Sequence, residues 1–374
     1  MIFFLLFCAA LFLAYSNGAN DNFKGVATLF GSGTTNFKRA INWATFTTLL
    51  GSVTAIFIAG NLIKNFSGKG LIPDQLIQTP AFAVSVASST AATVFLATKI
   101  GMPISTTHGL VGGLLGSGFL AVGLDFNFSS LGDTFLIPLI VSPLIALLLC
   151  MLAYVILRKV RIASGITKET CFCVVDDFNN VSEASYQSQS ITLEGETHKK
   201  FVIGSNQQCI TKYTGKIFGI DAQTILDYAH YISSGVVSFA RGLNDTPKIV
   251  GLILMINAFD IKYGMIAIAI AMAVGGLLNA KKVGVTISKK ITPINHGQGF
   301  TANLITGLLV ATASIHGLPV STTQISVGSI FGIGVVNKST DVKVVRNILT
   351  SWLLTLPIAA IFSAASYWLL LKLI

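Results

Sequence analysis

Two carboxylates, Asp21 and Asp245, fall inside apolar stretches long enough to lie at membrane depth. An aspartate at the centre of a membrane helix costs roughly 3 kcal/mol unless it is paired or binds a cation. Each follows an asparagine (Asn20, Asn244), and each is followed three residues on by a lysine (Lys24, Lys248). A step of three or four returns to the same helical face, so each lysine either neutralises its aspartate or faces a substrate. Snorkelling from a helix end is the plainer alternative for both. Gly18 and Gly242 stand beside these motifs and are expected to let the helix open there, turning free amides and carbonyls toward a ligand.

A second pair of motifs carries hydroxyls. Ser105-Thr106-Thr107 follows Gly101-Met102-Pro103, and Ser321-Thr322-Thr323 follows Gly317-Leu318-Pro319. Proline ends one helix and permits another to begin, and serine or threonine at a helix start caps its free amides. A helix N-terminus inside the membrane, carrying hydroxyls and partial positive charge, suits an oxyanion. One triplet alone would be ordinary capping. Two triplets converging on one midplane would supply donors to all the oxygens of a tetrahedral anion.

Other polar residues are less decided. Arg241 has Asn17 in its place in the other half, and is either an anion contact or an anchor on the cytoplasmic side. His108 and His316 flank the triplets and read as hydrogen-bonded neighbours. Cys171, Cys173, Cys209 and His198 share a polar loop, but their spacing does not suit a zinc knuckle.

The elements that must hold these residues are membrane helices. Of the 374 residues, 52% are hydrophobic and 11% charged, too little charge to cover a soluble surface. Apolar segments run over 1–16, 22–33, 40–62, 81–98, 105–123 and 134–157, then 225–240, 243–258, 263–280, 298–313, 317–335 and 346–373. Full-length ones match a bilayer's hydrocarbon. The first 16 residues lack a basic start and are read as a mature first span. The net charge of +10 collects between spans, as cytoplasmic loops do, which argues against nucleic acid as partner.

Both motifs recur in the same order, so the chain divides into a first transmembrane repeat over 1–157, a polar cytoplasmic linker over 158–224 and a second repeat over 225–374. Segments 1–16 and 22–33, like 225–240 and 243–258, are too short to span alone and are expected to form broken crossings. The segments joined at Gly101 and at Gly317 either dip in and out or cross twice. Each half then crosses an odd number of times, so the second is inverted. Lys38-Arg39, Arg158, Lys159, Arg161, Lys281, Lys282, Lys289, Lys290, Lys338, Lys343 and Arg346 all fall on one side. That side is expected to be cytoplasmic, leaving both termini outside. Inverted repeats with broken helices and a midplane site are the architecture of secondary transporters.

Gly-Ala-Asn-Asp with a later Pro-x-Ser-Thr-Thr, each duplicated, resembles the inorganic phosphate transporter family of sodium- or proton-coupled carriers. The resemblance implies an all-α polytopic membrane fold of two inverted repeats, each with a broken helix and a re-entrant hairpin. It implies a phosphate site of Asn20, Asp21, Ser105, Thr106, Thr107, Asn244, Asp245, Ser321, Thr322 and Thr323, with Asp21 and Asp245 also helping to hold Na⁺, and a homodimer in the lipid bilayer. Apart from Na⁺ or H⁺ as coupling ion, no cofactor is implied. The chain departs from the family's usual Gly-Ala-Asn-Asp-Val-Ala-Asn-Ala: Lys24 and Lys248 replace its second asparagine, and Asn303 stands where members often carry glutamate. The lysine ammonium groups are therefore expected to occupy the places of coupling cations and compensate the aspartates. A sulfate carrier or an anion channel is the alternative. An intramembrane aspartyl protease is disfavoured, because neither aspartate has a Gly-x-Gly-Asp context. The spans are consistent with a bacterial inner membrane.

Overall fold

The computed structural model describes residues 2–168, 170–177, 198–205, 219–254 and 261–373. The chain forms two compact units, one of Met1–Val155 with His230–Ile374 and a smaller one of Ile156–Ala229.

The larger unit is helical. Its first half supplies α1 (Ile2–Asp21), α2 (Phe37–Ile58), α3 (Pro80–Ile100), α4 (Thr106–Val122) and α5 (Ile137–Ala163). Its second half supplies α6 (Ala222–Leu254), α7 (Ile261–Asn279), α8 (His296–Ile315), α9 (Thr322–Asn337) and α10 (Val342–Leu373), with residues 156–163 of α5 and 222–229 of α6 counted in the smaller unit. Among the described residues, eight helical segments are long and apolar enough to cross a membrane. Large apolar side chains such as Ile140, Leu144 and Leu148 on α5 and Leu353 and Ile361 on α10 are exposed, as on a surface that faces lipid.

Local chemistry sets the helix ends. Asn36 caps α2, accepting from the Arg39 amide at 2.9 Å. Asn295 and Gln298 form a reciprocal capping box at the start of α8. The α3–α4 and α8–α9 hairpins turn at Gly101 (φ 78°) and Gly317 (φ 71°), a left-handed conformation that a side chain would strain.

The halves interlock. A Cβ on Gly18 of α1 would lie 1.9 Å from the Met272 carbonyl of α7, and one on Gly242 of α6 would lie 2.2 Å from the Thr48 carbonyl of α2. The missing side chains bring backbones from opposite halves into contact.

That packing corrects one expectation. The first crossing breaks after Asp21, passing through a 3₁₀ turn at Lys24–Val26 into a short helix, Ala27–Gly31. The second does not break: α6 runs unbroken through Asn244 and Asp245 to Leu254, with Pro247 inside it. Gly242 serves close approach there, not opening. Past the motif the first half has Gly25, a weak helix former, while the second has Ile249 and Val250, which are buried in the core.

The smaller unit contains a three-stranded antiparallel sheet in the order β2-β1-β3, of β1 (Thr170–Asp177), β2 (His198–Ser205) and β3 (Gly219–Asp221). Cys171 pairs in register with Gly204 and Cys173 with Val202. This sheet lies in the stretch read from sequence as a polar linker, where the aromatic and β-branched run Phe172–Val175 favours a strand. Linker residues 178–197 and 206–218, Cys209 among them, lie outside the described residues.

Candidate functional site

The duplicated motifs meet in one place. α1 brings Asn17, Asn20 and Asp21, the 3₁₀ turn brings Lys24, and α6 brings Arg241, Asn244, Asp245 and Lys248. All are buried, none more than 4% exposed. Three cations against two carboxylates leave one net positive charge inside the membrane unit.

Each hairpin supplies a carbonyl and a triplet. Ser105 and Ser321 are the N-caps of α4 and α9, accepting from the amides of His108 at 3.1 Å and Gln324 at 3.3 Å. The serines therefore perform the ordinary capping role, while Thr106, Thr107 and Thr323 face the charges.

Lys24 Nζ has four acceptors within reach of its three hydrogens: Asp21, Asn20 Oδ1 at 3.0 Å, the Ile104 carbonyl at 2.9 Å, and the hydroxyl of Thr323 from the other half. Lys248 Nζ lies 3.5 Å from Asp245 Oδ1 and donates to the Val320 carbonyl at 2.6 Å and to Thr107 of the other half at 2.9 Å. Thr107 also donates to the Val320 carbonyl at 3.3 Å, and Thr323 to the Ile104 carbonyl at 2.9 Å. The two arrangements are related by the repeat, and each lysine bridges both halves. Neither lysine snorkels.

The asparagines tie α1 and α6 to the hairpins. Asn20 donates to Thr98 at 2.9 Å and to the Met102 carbonyl at 3.1 Å. Asn244 accepts from Ser314 at 3.2 Å and donates to Asp245 at 3.0 Å and the Val320 carbonyl at 3.3 Å. Thr98 and Ser314 hold matching places, each three residues before its hairpin glycine, and sequence reasoning passed over both. Extending the repeat register by that distance would have found them.

Asn17 is the other residue the sequence undervalued. Its amide nitrogen reaches Thr106 at 3.1 Å, Asp245 at 3.2 Å and Asp21 at 3.4 Å, so it links both carboxylates to a triplet. Thr106 also donates to Asp21 at 3.4 Å. Arg241 donates to Asn17 Oδ1 at 2.7 Å and Asn22 Oδ1 at 2.9 Å, and its Nε lies 3.5 Å from Asp245. At 1% exposure it is no surface anchor. Thr322 is buried beside the other triplet residues. His316 is exposed at the end of α8 and stands apart.

His108 and Gln324 occupy matching places after the triplets and line an almost wholly apolar cavity of about 660 Å³ between α5, α9 and α10. None of the charged residues of the cluster lines that cavity, so the cluster and this cavity are separate features.

Buried charges of this kind are tolerated when paired and fully hydrogen-bonded, and removing one partner is strongly destabilising. What the arrangement offers chemically is the hydroxyls of Thr106, Thr107 and Thr323, two ammonium groups and a guanidinium around a pair of carboxylates. That donor set can wrap an oxyanion by exchanging internal bonds for bonds to the ligand.

The model of a family described as the phosphate transporter family matches residues 17–363. A phosphate permease of Haemophilus influenzae is 28% identical, over 96% of this chain and 94% of its own length. The chloroplastic inorganic phosphate transporter 2-1 of Arabidopsis thaliana is 27% identical, over 97% of this chain and 71% of its own. Among solved structures, one described as the sodium-dependent phosphate transporter superposes with a TM-score of 0.76 at 23% identity, covering 100% of both chains.

Proposed function

Since this chain belongs to the phosphate transporter family, and so carries inorganic phosphate across a membrane as a transporter and not an enzyme, we propose that it does so by alternating access around the cluster just described. The observation that carries this reading is the convergence of both Asn-Asp-Lys motifs and both triplets into one buried network. The proposed substrate site is Asn20, Asp21, Ser105, Thr106, Thr107, Asn244, Asp245, Ser321, Thr322 and Thr323, with Asn17 and Arg241 added on their geometry. Ser105 and Ser321 act by holding the helix starts, so that amides and threonine hydroxyls point inward.

Phosphate would displace the lysine–threonine bonds. Thr107 and Thr323 would turn their hydroxyls to the anion, and Lys24, Lys248 and Arg241 would supply charge. A singly charged dihydrogen phosphate would cancel the net positive charge of the cluster. The two halves would stand inverted to one another, so that their hairpins open the site to opposite sides. The basic loops and the linker would face the cytoplasm, both termini would lie outside, and the membrane would be a plasma membrane of bacterial type. Two copies would associate as a dimer, which native mass spectrometry in detergent tests.

The solved relative is described as sodium-dependent. In this chain each aspartate already has a lysine ammonium group beside it. We infer that the ammonium groups stand where Na⁺ would bind at Asp21 and Asp245, and that Na⁺ dependence is thereby weakened, leaving H⁺ coupling or facilitated exchange. The test is uptake of radiolabelled phosphate into proteoliposomes with Na⁺ or choline outside, with and without a pH gradient, and with sulfate as competitor. Saturable uptake indifferent to Na⁺ is expected, with Lys24→Asn and Lys248→Asn restoring a Na⁺ requirement. Strict Na⁺ dependence of the unmodified protein would discard the lysine proposal. Uptake of sulfate in preference to phosphate would discard the substrate.

A further inference from the structure

The repeat has a further place where its two copies differ in kind. The register that pairs Asp21 with Asp245 also pairs Leu6 with His230 and Thr28 with Leu252. The register that pairs Gly101 with Gly317 also pairs Ala83 with Gly299 and Ala87 with Asn303. Leu6, Ala83, Ala87 and Leu252 are fully buried in one aliphatic cluster. Three of their counterparts, His230, Asn303 and Thr28, form a chain of polar groups instead.

His230 Nε2 lies 3.0 Å from Thr28 Oγ1, and Thr28 donates to Asn303 Oδ1 at 2.9 Å. His230 Nδ1 lies 3.3 Å from Thr34 Oγ1, which is 3.2 Å from His296 Nδ1. His230 is fully buried and Asn303 is 3% exposed. The Asn303 amide nitrogen is buried with no hydrogen-bond partner. A Cβ on Gly299 would stand 2.4 Å from His230 Cε1, so the ring lies directly on the backbone of α8.

At three of these positions the fold does not require a polar group, because His230, Thr28 and Asn303 have Leu6, Leu252 and Ala87 as their counterparts. A buried donor left unpaired costs about 1–3 kcal/mol. The groups are imidazole, hydroxyl and amide, and the unpaired one is a donor, which suits an anion rather than a cation. Their location is also specific. Thr28 follows Lys24 by four residues, so one short segment joins this cluster to the central one. Thr34 and His296 adjoin the basic loops at Lys38-Arg39 and Lys289-Lys290.

We propose that His230, Thr28, Thr34, His296 and Asn303 form an outer oxyanion station. It is a second, weaker phosphate site through which the anion passes between the central cluster and the side of the membrane that carries the basic loops. The aliphatic counterpart provides no such station, so the two access routes differ in apparent affinity. The proposal rests on the carrier reading above.

The test measures phosphate uptake and efflux separately in proteoliposomes whose protein orientation is fixed by protease accessibility, beside equilibrium binding of phosphate to the purified protein. Asn303→Ala installs the residue of the other repeat, and His230→Gln keeps a hydrogen-bonding side chain. For Asn303→Ala, KM on the basic-loop side is expected to rise about fivefold, the equivalent of one neutral hydrogen bond. KM on the opposite side and the equilibrium affinity should hold within about twofold, since neither depends on that bond. His230→Gln should raise the same KM by a smaller factor, and thermal melting checks that both variants are folded. Unmodified protein that neither binds nor transports phosphate would overturn the carrier reading itself. Normal transport by the unmodified protein with an unchanged KM in both variants, or with an equal rise on both sides, would overturn the station alone.

Discussion

The two Asn-Asp-Lys motifs are copies in sequence but not in electrostatics. In the first half, Asp21 faces one cation, Lys24, and the helix ends beside it. In the second, Asp245 lies between Arg241 and Lys248, and the helix continues. Asn17, which holds the place of Arg241, instead accepts a bond from that arginine. The fixed charge of the repeat is therefore lopsided: the first motif is neutral as a pair, and the second carries the surplus. A duplicated scaffold fixes where groups point, while single substitutions decide which half holds the charge.

This contrast can be broken by substitution, and the largest effect is expected at the carboxylates. Asp245→Asn would leave two buried cations facing no partner of their own, and Asp21→Asn only one. Both should reduce phosphate transport at least about a hundredfold, and breaking each buried pair should cost about 3–5 kcal/mol. Thermal melting should fall further for Asp245→Asn. Equal losses would remove the asymmetry.

Arg241→Asn, which installs the first half's residue, is expected next. It would leave Asp245 with Lys248 alone and should lower kcat/KM for phosphate about tenfold or more, as loss of a charge-assisted bond does. An unchanged kcat/KM would reduce Arg241 to a packing role. Gly18→Ala and Gly242→Ala each force a methyl against a carbonyl of the opposite half. Each should destabilise by about 1–3 kcal/mol in thermal melts, and the comparison sharpens if the two are alike. Smallest are the caps: Ser105→Ala and Ser321→Ala should each cost about 1 kcal/mol, with transport less affected than by loss of Thr107 or Thr323.

Much of this was legible before the structure. Aspartate at membrane depth needs a partner, and Lys24 and Lys248 stood at the right helical step to be that partner. The hairpins followed from Gly-x-Pro and the hydroxyl triplets that come after. The unbroken path of α6 was not legible, because Gly242 and Pro247 both argue locally for a break. The interlocking contact with Thr48 and the buried Ile249 and Val250 override them, and such tertiary contacts leave no trace in local spacing. Asn17 was undervalued because its motif partner is an arginine, so the repeat did not mark the position as one chemistry. The sheet was missed because a short run of strand-forming residues in a polar stretch has no periodicity long enough to weigh.

The crossed bonds at the hairpin turns have a mechanical consequence. The Ile104 carbonyl of one turn accepts from Thr323 of the other triplet, and the Val320 carbonyl accepts from Thr107. Neither turn can therefore swing away alone without severing a tie held by its twin, and both lysines reinforce those ties. The pair is built like a toggle with a shared latch. A ligand able to take over the threonine hydroxyls releases both ties together, whereas an unladen protein must pull them apart with nothing in return. If the hairpins are the moving parts of the proposed carrier, slippage without cargo would be slow, and flux through the membrane would be metered by the anion itself.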